Sequence, residues 1–410
     1  MTVAKRIVVV GGGVAGTRAV EALRAGGFEG DLTMVDAGAD LPYDRPPLSK
    51  EFLTGVFDED EIRLWSAERV AELGVGLRLG TRAVRLDAGR RRLSVRSAAD
   101  GADEVEYDRL VLATGVVARR PAAFPALDGV HVLGSLPDAR ALRSRLRATP
   151  GPVVVVGGGF IGGEVAAAAA TLGLDVTIVE AGGNLLSTVL TADLAAPLEH
   201  LHASTGVRVL RGRAVAGLHG AGRVEGVDLA DGTRLPAAVV VLGLGGAPDT
   251  GWLHGSAVTL GDGIETDDCL RTTADEVYAI GDAARWRDSA TGRHVRHQHW
   301  TSAGRQGGHL ARTLLGTAAP YRDVPYVWSD QHGVQLQIAG AADGDEVRFV
   351  DGGPGADGYV AVVRRGAHLA GVIALDRRRA FLKLRRTLAG SPLWDSVVAT
   401  ANPHPQGATV

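Results

Sequence analysis

The chain has 410 residues, 45% of them apolar and 22% charged, and a formal net charge of −3; it is too long for one ordinary core and suits two or three soluble globular domains, with no global charge pointing to nucleic acid or a membrane surface. No apolar run reaches the roughly 20 residues that span a bilayer, and the opening Met-Thr-Val-Ala-Lys-Arg lacks the apolar core and cleavage site of a signal peptide, so a cytoplasmic location is expected. The single cysteine, Cys269, excludes an intramolecular disulfide, a Cys-x-x-Cys redox pair and a thiolate-held metal cluster.

In chain order, a buried strand is predicted over Arg6–Val10, followed by Gly11-Gly12-Gly13-Val14-Ala15-Gly16, a helix over about 17–25, and a strand over 32–35 that ends at Asp36. This is a βαβ unit. Short alternating stretches at 77–84 and 91–95 read as small antiparallel strands, and a strand over Arg109–Leu112 leads into Ala113-Thr114-Gly115. The first pattern then returns: a valine strand over 152–156, Gly157-Gly158-Gly159-Phe160-Ile161-Gly162, an alanine-rich helix over about 164–172, and a strand over 175–179 ending at Glu180. An internal repeat of a whole supersecondary unit says more than either copy alone. Strands follow near 207–215, 224–229 and 238–242, the last ending in Gly243-Leu244-Gly245, and a strand over 277–280 ends in Gly281-Asp282. From about Thr317 the composition changes to Trp, Tyr and Gln with strand-like runs at 334–338, 358–363 and 369–374, a Gly-Pro loop at 351–358, a basic closing helix and a frayed tail over 402–410.

A lone G-x-G-x-x-G is weak in a chain with 57 glycines. Here each copy lies between a strand and a helix, and each is followed by an acid about 20–25 residues on, as a dinucleotide site requires. The first glycine permits the tight turn, the second lets the backbone approach a pyrophosphate, and the third packs helix against strand. The phosphates then sit at the helix N-terminus, and Asp36 and Glu180 can each accept hydrogen bonds from a ribose diol. Two such sites imply two nucleotides, commonly a flavin and a nicotinamide dinucleotide. A carboxylate at Glu180, with no Arg or Lys over 181–191, favours NADH over NADPH.

The segments Pro42-Tyr43-Asp44-Arg45-Pro46-Pro47-Leu48-Ser49-Lys50, Leu112 to Gly115, Gly157 to Glu164, Tyr278 to Asp282, His299-Trp300-Thr301-Ser302-Ala303 and Val324 to Gln331 carry a specific resemblance over nearly the whole chain. The sequence resembles the FAD-dependent pyridine nucleotide oxidoreductase superfamily and, within it, the ferredoxin reductases that serve bacterial oxygenases and cytochromes P450. The resemblance implies an α/β fold of glutathione-reductase type with two Rossmann-like domains: an FAD domain over 1–118 and 246–318, an NADH domain over 119–245, and a C-terminal α/β domain over 319–410. It implies that Gly11, Gly13, Val14, Ala15, Gly16 and Asp36 hold the ADP half of FAD, and that Arg45 and Lys50 lie along the cofactor, Lys50 near its reactive edge. Ala83 or Val84 would contact adenine; Ala113, Thr114 and Gly115 would line the site; Asp282 would bind the ribityl chain or pyrophosphate region, or serve as an N-cap; and His299 and Trp300 would lie beside the flavin ring. Gly157, Gly159, Phe160, Ile161, Gly162 and Glu180 would bind NADH, with Glu164 near the nicotinamide and Gly245 on the neighbouring loop. Lys50 and Glu164 are thus the residues placed closest to the chemistry.

Implied with this is a monomer in which NADH passes a hydride to flavin N5, and the reduced flavin releases electrons singly to a small acidic iron–sulfur ferredoxin. Two positions depart from the family pattern: Gly134 stands where an FAD-anchoring Arg is usual, and Gln298 where an acid is usual. His294, His297 and His299 lack the acids or thiols that would complete a metal site, so no metal is expected. Cys269 reads as a structural thiol. The cluster Arg377, Arg378, Arg379, Lys383, Arg385 and Arg386 offers either a solvated face or a docking patch for an acidic partner. The competing reading is an FAD enzyme serving a small molecule, an NADH oxidase or quinone reductase; related oxidases carry a cysteine where this chain has Arg45 to Lys50. A redox-sensing flavoprotein is a third.

Overall fold

The computed structural model describes residues 4–148, 151–289 and 291–401, and the tail expected to fray, 402–410, lies outside them. The chain divides into two compact units: Met1–Pro47, Phe57–Val117 and Gly246–Asp323 form the first, and Leu48–Val56, Ala118–Gly245 and Val324–Val410 the second. The segments read as an NADH domain and a C-terminal domain therefore share one unit, apart from residues 319–323, and Lys50 belongs to that unit as well.

The first unit is built on a five-stranded sheet in the order Val277–Ala279, Arg109–Leu112, Arg6–Val10, Asp31–Val35, Val75–Arg78, with every neighbouring pair parallel. Both faces are covered, which is why the central strands read as unbroken apolar runs rather than alternating ones. Ile7 and Val9 point into a core with the helix Val14–Ala25 and the helix Trp300–Leu314. Val8 and Val10 point the other way, onto the three-stranded antiparallel sheet of Thr81–Asp87, Arg92–Ser97 and Gly101–Glu106 through Ala83, Leu86, Leu93 and Val95.

The second unit repeats the plan. Its parallel sheet runs Arg208–Leu210, Val176–Val179, Val153–Val156, Val239–Leu242, Val130–His131, with the helix Phe160–Thr171 following the glycine turn. Residues 326–375 add a five-stranded antiparallel sheet in the order Tyr326–Gln331, Val334–Gly340, His368–Leu375, Tyr359–Arg365, Glu346–Gly352. One of its faces packs Leu336, Ile338, Ala361 and Ile373 against Leu194 and Leu198 of the helix Ala192–Ser204, where the Tyr359 hydroxyl donates to the Leu194 carbonyl at 2.8 Å. The other face is closed by Phe381 and Leu388 of the helix Arg378–Leu388 and by Trp394 and Val397.

Several boundaries differ from those expected. The helices begin at Val14 and Phe160, three and four residues earlier than the sequence suggests, because Gly16 and Gly162 sit inside the first turn and weak helix formers there hide the start. The run at 77–84 is two strands, Val75–Arg78 and Thr81–Asp87, hinged at Gly80 with φ +61°. The run at 207–215 likewise splits into Arg208–Leu210 and Val215–His219 at Gly212, φ +62°. No helix among the described residues is long and apolar enough to cross a membrane.

Candidate functional site

Each unit carries one glycine cradle, and the second unit also carries a buried ion pair. In the first unit, Gly11 (φ +115°) turns the chain off the strand Arg6–Val10, and a Cβ there would run into the Ala113 carbonyl. Gly16 leaves room for the Gly11 carbonyl in the same way. Gly13 is the N-cap of the helix Val14–Ala25, in extended backbone with no side chain bonded to the first-turn amides, and no atom lies within 4 Å of where its Cβ would stand. Free N–H groups, the positive end of the helix dipole and open space are what a pyrophosphate needs. Val14 and the buried Ala15 begin that helix. The Asp36 carboxylate, at the end of the adjacent strand, accepts from the Gly12 amide and from the Gly38 amide at 2.6 Å.

The other residues expected around this cradle, Lys50 excepted, lie in the same unit. Ala83 is buried, and Val84 is the extra residue of a β-bulge between the pairs Ala83↔Val95 and Arg85↔Ser94, a device that re-aims a strand edge. Ala113 is buried, and the Thr114 hydroxyl is buried with no partner among the described residues. Gly115 (φ +67°) has the Arg45 guanidinium beside it. Asp282 stands in the turn Gly281–Ala283; burial pushes its carboxyl up to about 6, while Arg45 and Arg296 pull it down. The Trp300 indole N–H donates to Asp44 at 2.6 Å. His299 precedes it, held by burial at about 4 and with Nδ1 unpartnered.

In the second unit Gly157 has φ +100°, and the Gly243 carbonyl occupies the place of its Cβ. Gly159 caps the helix Phe160–Thr171 without a side-chain bond and with an open Cβ position. Gly162 crosses over the Gly157 carbonyl, Phe160 is half-buried and Ile161 is exposed. Glu180 accepts from Gly158 N–H at 2.7 Å and Gly182 N–H at 2.6 Å. Gly245 (φ +75°) leaves space where a side chain would stand.

Glu164, one turn into the same helix, is only 6% exposed. Lys50 Nζ stands 3.3 Å from its Oε1, Ser329 Oγ donates to that oxygen at 2.7 Å, and Ser49 Oγ donates to Oε2 at 2.5 Å. A buried carboxylate is tolerable only when paired and hydrogen-bonded, and here one cation and two hydroxyls supply both. The structure thus brings Lys50 and Glu164 into one ion pair within the second unit, which the sequence did not foretell.

A dinucleotide fits each cradle on local grounds: both glycine turns present uncapped helix starts to open space, each with a fixed carboxylate behind. In the first, Thr114 Oγ1 and one amide arm of Gln306 are buried without partners among the described residues, although the Gln306 carbonyl accepts from Gly281 N–H at 2.7 Å. Polar atoms orphaned in this way call for a ligand, since leaving them so is costly. Sequence reasoning missed Gln306, which carries no motif, and Arg296, whose side chain is 9% exposed and donates to the Asp282 carbonyl at 3.2 Å. Gly134 is hemmed in by Ala118, and its amide donates to Asp138 at 3.2 Å. Gln298 is exposed. The Cys269 thiol is pushed up by burial and by Asp267 and Asp268, which disfavours its thiolate.

The profile of the pyridine nucleotide-disulphide oxidoreductase family matches residues 5–307, and that of the reductase C-terminal family matches 326–402. Rhodocoxin reductase of Rhodococcus erythropolis is 34% identical over 93% of this chain and 89% of its own. The ferredoxin–NAD(+) reductase component of the p-cumate 2,3-dioxygenase system of Pseudomonas putida is 35% identical, over 83% of each chain. Among solved structures, the ferredoxin reductase for the CYP199A2 system of Rhodopseudomonas palustris superposes with a TM-score of 0.90 at 30% identity, covering 95% of both chains.

Proposed function

We propose that this chain, which belongs to the pyridine nucleotide-disulphide oxidoreductase family, is an NADH-dependent FAD enzyme that reduces a small iron–sulfur ferredoxin, and through it a cytochrome P450 or Rieske-type oxygenase. The observation that carries the reading is the pair of uncapped glycine turns, each backed by a carboxylate, in a chain whose one cysteine lies outside both. FAD, when bound, takes the hydride of NADH as an electron pair and releases it as single electrons. With one cysteine the chain has no internal disulfide to relay that pair, so none of its side chains would need to carry electrons. The overall change balances as NADH and two oxidised ferredoxins giving NAD+, two reduced ferredoxins and one proton.

The chain's own residues bind, orient and neutralise. Segments 1–118 and 246–318 hold FAD: Gly13 and the amides after it take the pyrophosphate, Asp36 the ribose, and Thr114 and Gln306 the polar groups that satisfy them. Residues 119–245 hold NADH, with Gly159 at its phosphates, Glu180 on the adenosine ribose and the Glu164–Lys50 pair at the nicotinamide. The carboxylate of Glu180 repels a 2′-phosphate, which sets the preference for NADH. The helix Arg378–Leu388 buries Phe381 and Leu388 and leaves Arg378, Arg379, Lys383 and Arg386 exposed; that face suits an acidic ferredoxin, whose approach complementary charge would steer. We take the enzyme to act as a monomer in the cytoplasm.

Cytochrome c reduction by NADH, with and without an added acidic ferredoxin, tests the assignment. Reduction that depends strongly on the ferredoxin and weakens with salt is expected. Equal rates without it, alongside fast turnover with oxygen or quinones, would move the assignment to the small-molecule enzymes.

A further inference from the structure

Behind Glu164 runs a chain of hydrogen bonds that the binding of two dinucleotides does not require. Ser329 Oγ, which donates to Glu164, accepts from Gln331 Nε2 at 3.0 Å. Gln331 Oε1 meets His202 Nε2 at 2.7 Å, and His202 Nδ1 meets His332 Nε2 at 3.0 Å. His332 Nε2 also stands 3.2 Å from the Thr205 hydroxyl. Ser329, Gln331 and His202 are at most 2% exposed. The chain starts on the helix Phe160–Thr171, passes along the strand Tyr326–Gln331, crosses to His202 on the helix Ala192–Ser204 and ends at His332, just past the strand. The two-residue turn that follows the strand, His332-Gly333, has φ +53° and +78°, the left-handed pair of a type I′ hairpin, and it sets the His332 ring edge-on to His202 with centroids 4.7 Å apart.

One boundary condition orders every proton along it. A carboxylate only accepts, so the Ser329 hydroxyl must donate to Glu164 and accept from its other neighbour. That neighbour is therefore the NH2 arm of Gln331, which leaves the Gln331 carbonyl facing His202. His202 must then carry its proton on Nε2 and offer Nδ1 as acceptor, so that His332 donates to it. Burial keeps His202 neutral, at about 4, with Gln331 pulling it up and His332 pushing it down, and a neutral ring is the one state with a donor on one side and an acceptor on the other. All donors point at Glu164. Gly163, next in sequence to Glu164, has no Cβ because the Gln331 amide fills that space.

We propose that Gln331, oriented by His202 and acting through Ser329, is a positioning residue for hydride transfer: it holds the Ser329 proton on Glu164 and so fixes the Glu164 carboxylate beside Lys50. The proposal rests on the reading that Glu164 borders the nicotinamide. It gives the reductase C-terminal region a part in the NADH half-reaction, since Ser329 and Gln331 come from that region. Were the Ser329 hydroxyl free to rotate, Oε1 would lose its strongest neutral donor and the carboxylate could swing, and a displacement of about 1 Å in such a group slows chemistry by as much as about 100-fold.

The test is anaerobic stopped-flow bleaching of the flavin by NADH between about pH 5 and 9, in the parent, Gln331→Met and Gln331→Glu. Gln331→Met keeps length and loses both hydrogen bonds; it is expected to bleach about tenfold more slowly at every pH, with flavin content and the half-saturating NADH concentration unchanged. Gln331→Glu restores the pattern only while the introduced carboxyl is protonated, donating to Ser329 and accepting from His202. Glu164 and Lys50 face that position through Ser329, with His202 and, behind it, His332 on the other side. Ionised, the carboxyl has no donor, and it draws the Ser329 proton away from Glu164. Its bleaching rate should therefore match the parent at low pH and fall to that of Gln331→Met as the pH rises, a limb that neither of the others shows. A structural role alone creates no such limb. Gln331→Glu tracking the parent at all pH values, or slow at both ends, overturns the proposal. If Gln331→Met does not fold, Gly163→Ala stands in: its methyl group lands on the Gln331 amide and should slow bleaching to a similar degree, and an unslowed Gly163→Ala overturns the proposal equally. A parent that NADH does not bleach overturns the nicotinamide reading itself, before any variant is compared.

Discussion

Around Gly11–Gly16 the buried polar side chains are left incomplete: among the described residues Thr114 Oγ1 and an arm of Gln306 have no partner, and Asp282 is held up to about 6 by burial. Around Gly157–Gly162, by contrast, Glu164, Ser329, Gln331 and His202 are bonded to one another. The two turns share one plan, a left-handed first glycine, an open second and a close-packed third, with an acid tied to the turn amides. Their surroundings differ as a resident cofactor differs from an exchanging one. A cradle that is satisfied when empty can release its ligand at little cost; one with orphaned groups gains stability when filled.

That contrast is broken most decisively at the first glycines. Gly11→Ala puts a side chain at φ +115° against the Ala113 carbonyl; about 1–3 kcal/mol of backbone strain plus the clash should yield protein without flavin. Gly157→Ala should instead keep its yellow colour and lose bleaching by NADH. Visible absorbance of the two purified variants, before and after NADH, decides it, and loss of flavin from both would erase the distinction.

A smaller effect is expected at the carboxylates. Glu180→Ala removes a charged acceptor worth about 1.5–3 kcal/mol; it should weaken NADH binding roughly tenfold or more and leave flavin content alone, whereas Asp36→Ala should do the reverse. Titration calorimetry with NADH and flavin retention on dialysis separate the two.

Thr114→Val sharpens the comparison further, because its sign should change with the cofactor. Replacing an unpartnered buried hydroxyl with a methyl stabilises the flavin-free protein by about 1 kcal/mol, and the same change weakens the flavin-loaded one. Thermal midpoints with and without FAD report it. A gain in both forms would mean that the hydroxyl serves no ligand.

A further effect is pH-dependent. Asp282 sits above the ordinary carboxylate value of 3.8, at about 6, so the fold prefers its protonated form. The penalty is absent below the lower value, grows between the two and is full above the higher. Asp282→Asn should therefore stabilise the flavin-free protein at neutral pH and lose that advantage as the pH falls toward 3.8. A constant gain across the range would assign the effect to packing.

Both glycine turns were legible because their function constrains consecutive residues: the spacing of Gly11, Gly13 and Gly16, and then Asp36, is itself the geometry. The helix starts were not, since the glycines that packing needs at Gly16 and Gly162 are poor helix formers. The split at Gly80 was hidden because two short strands in different sheets read as one alternating run. Glu164 and Lys50 were singled out separately, on resemblance, but their pairing lies 114 residues apart in sequence, and that of His202 with Gln331 129 apart. Nothing local marks a Gln or Ser in a strand as part of a buried network. Only the fold, by setting the strand Tyr326–Gln331 against the helix Phe160–Thr171, assembles it.

One dinucleotide is expected to stay and the other to exchange, with the electrons leaving singly to an iron–sulfur protein. The most direct measurement is an anaerobic titration of the extensively dialysed protein, first with NADH and then with oxidised ferredoxin. The dialysed protein should still be yellow, one NADH per flavin should bleach it, and two equivalents of a one-electron ferredoxin should return the colour. Flavin that stays bleached under ferredoxin yet recovers its colour with oxygen or a quinone would contradict this.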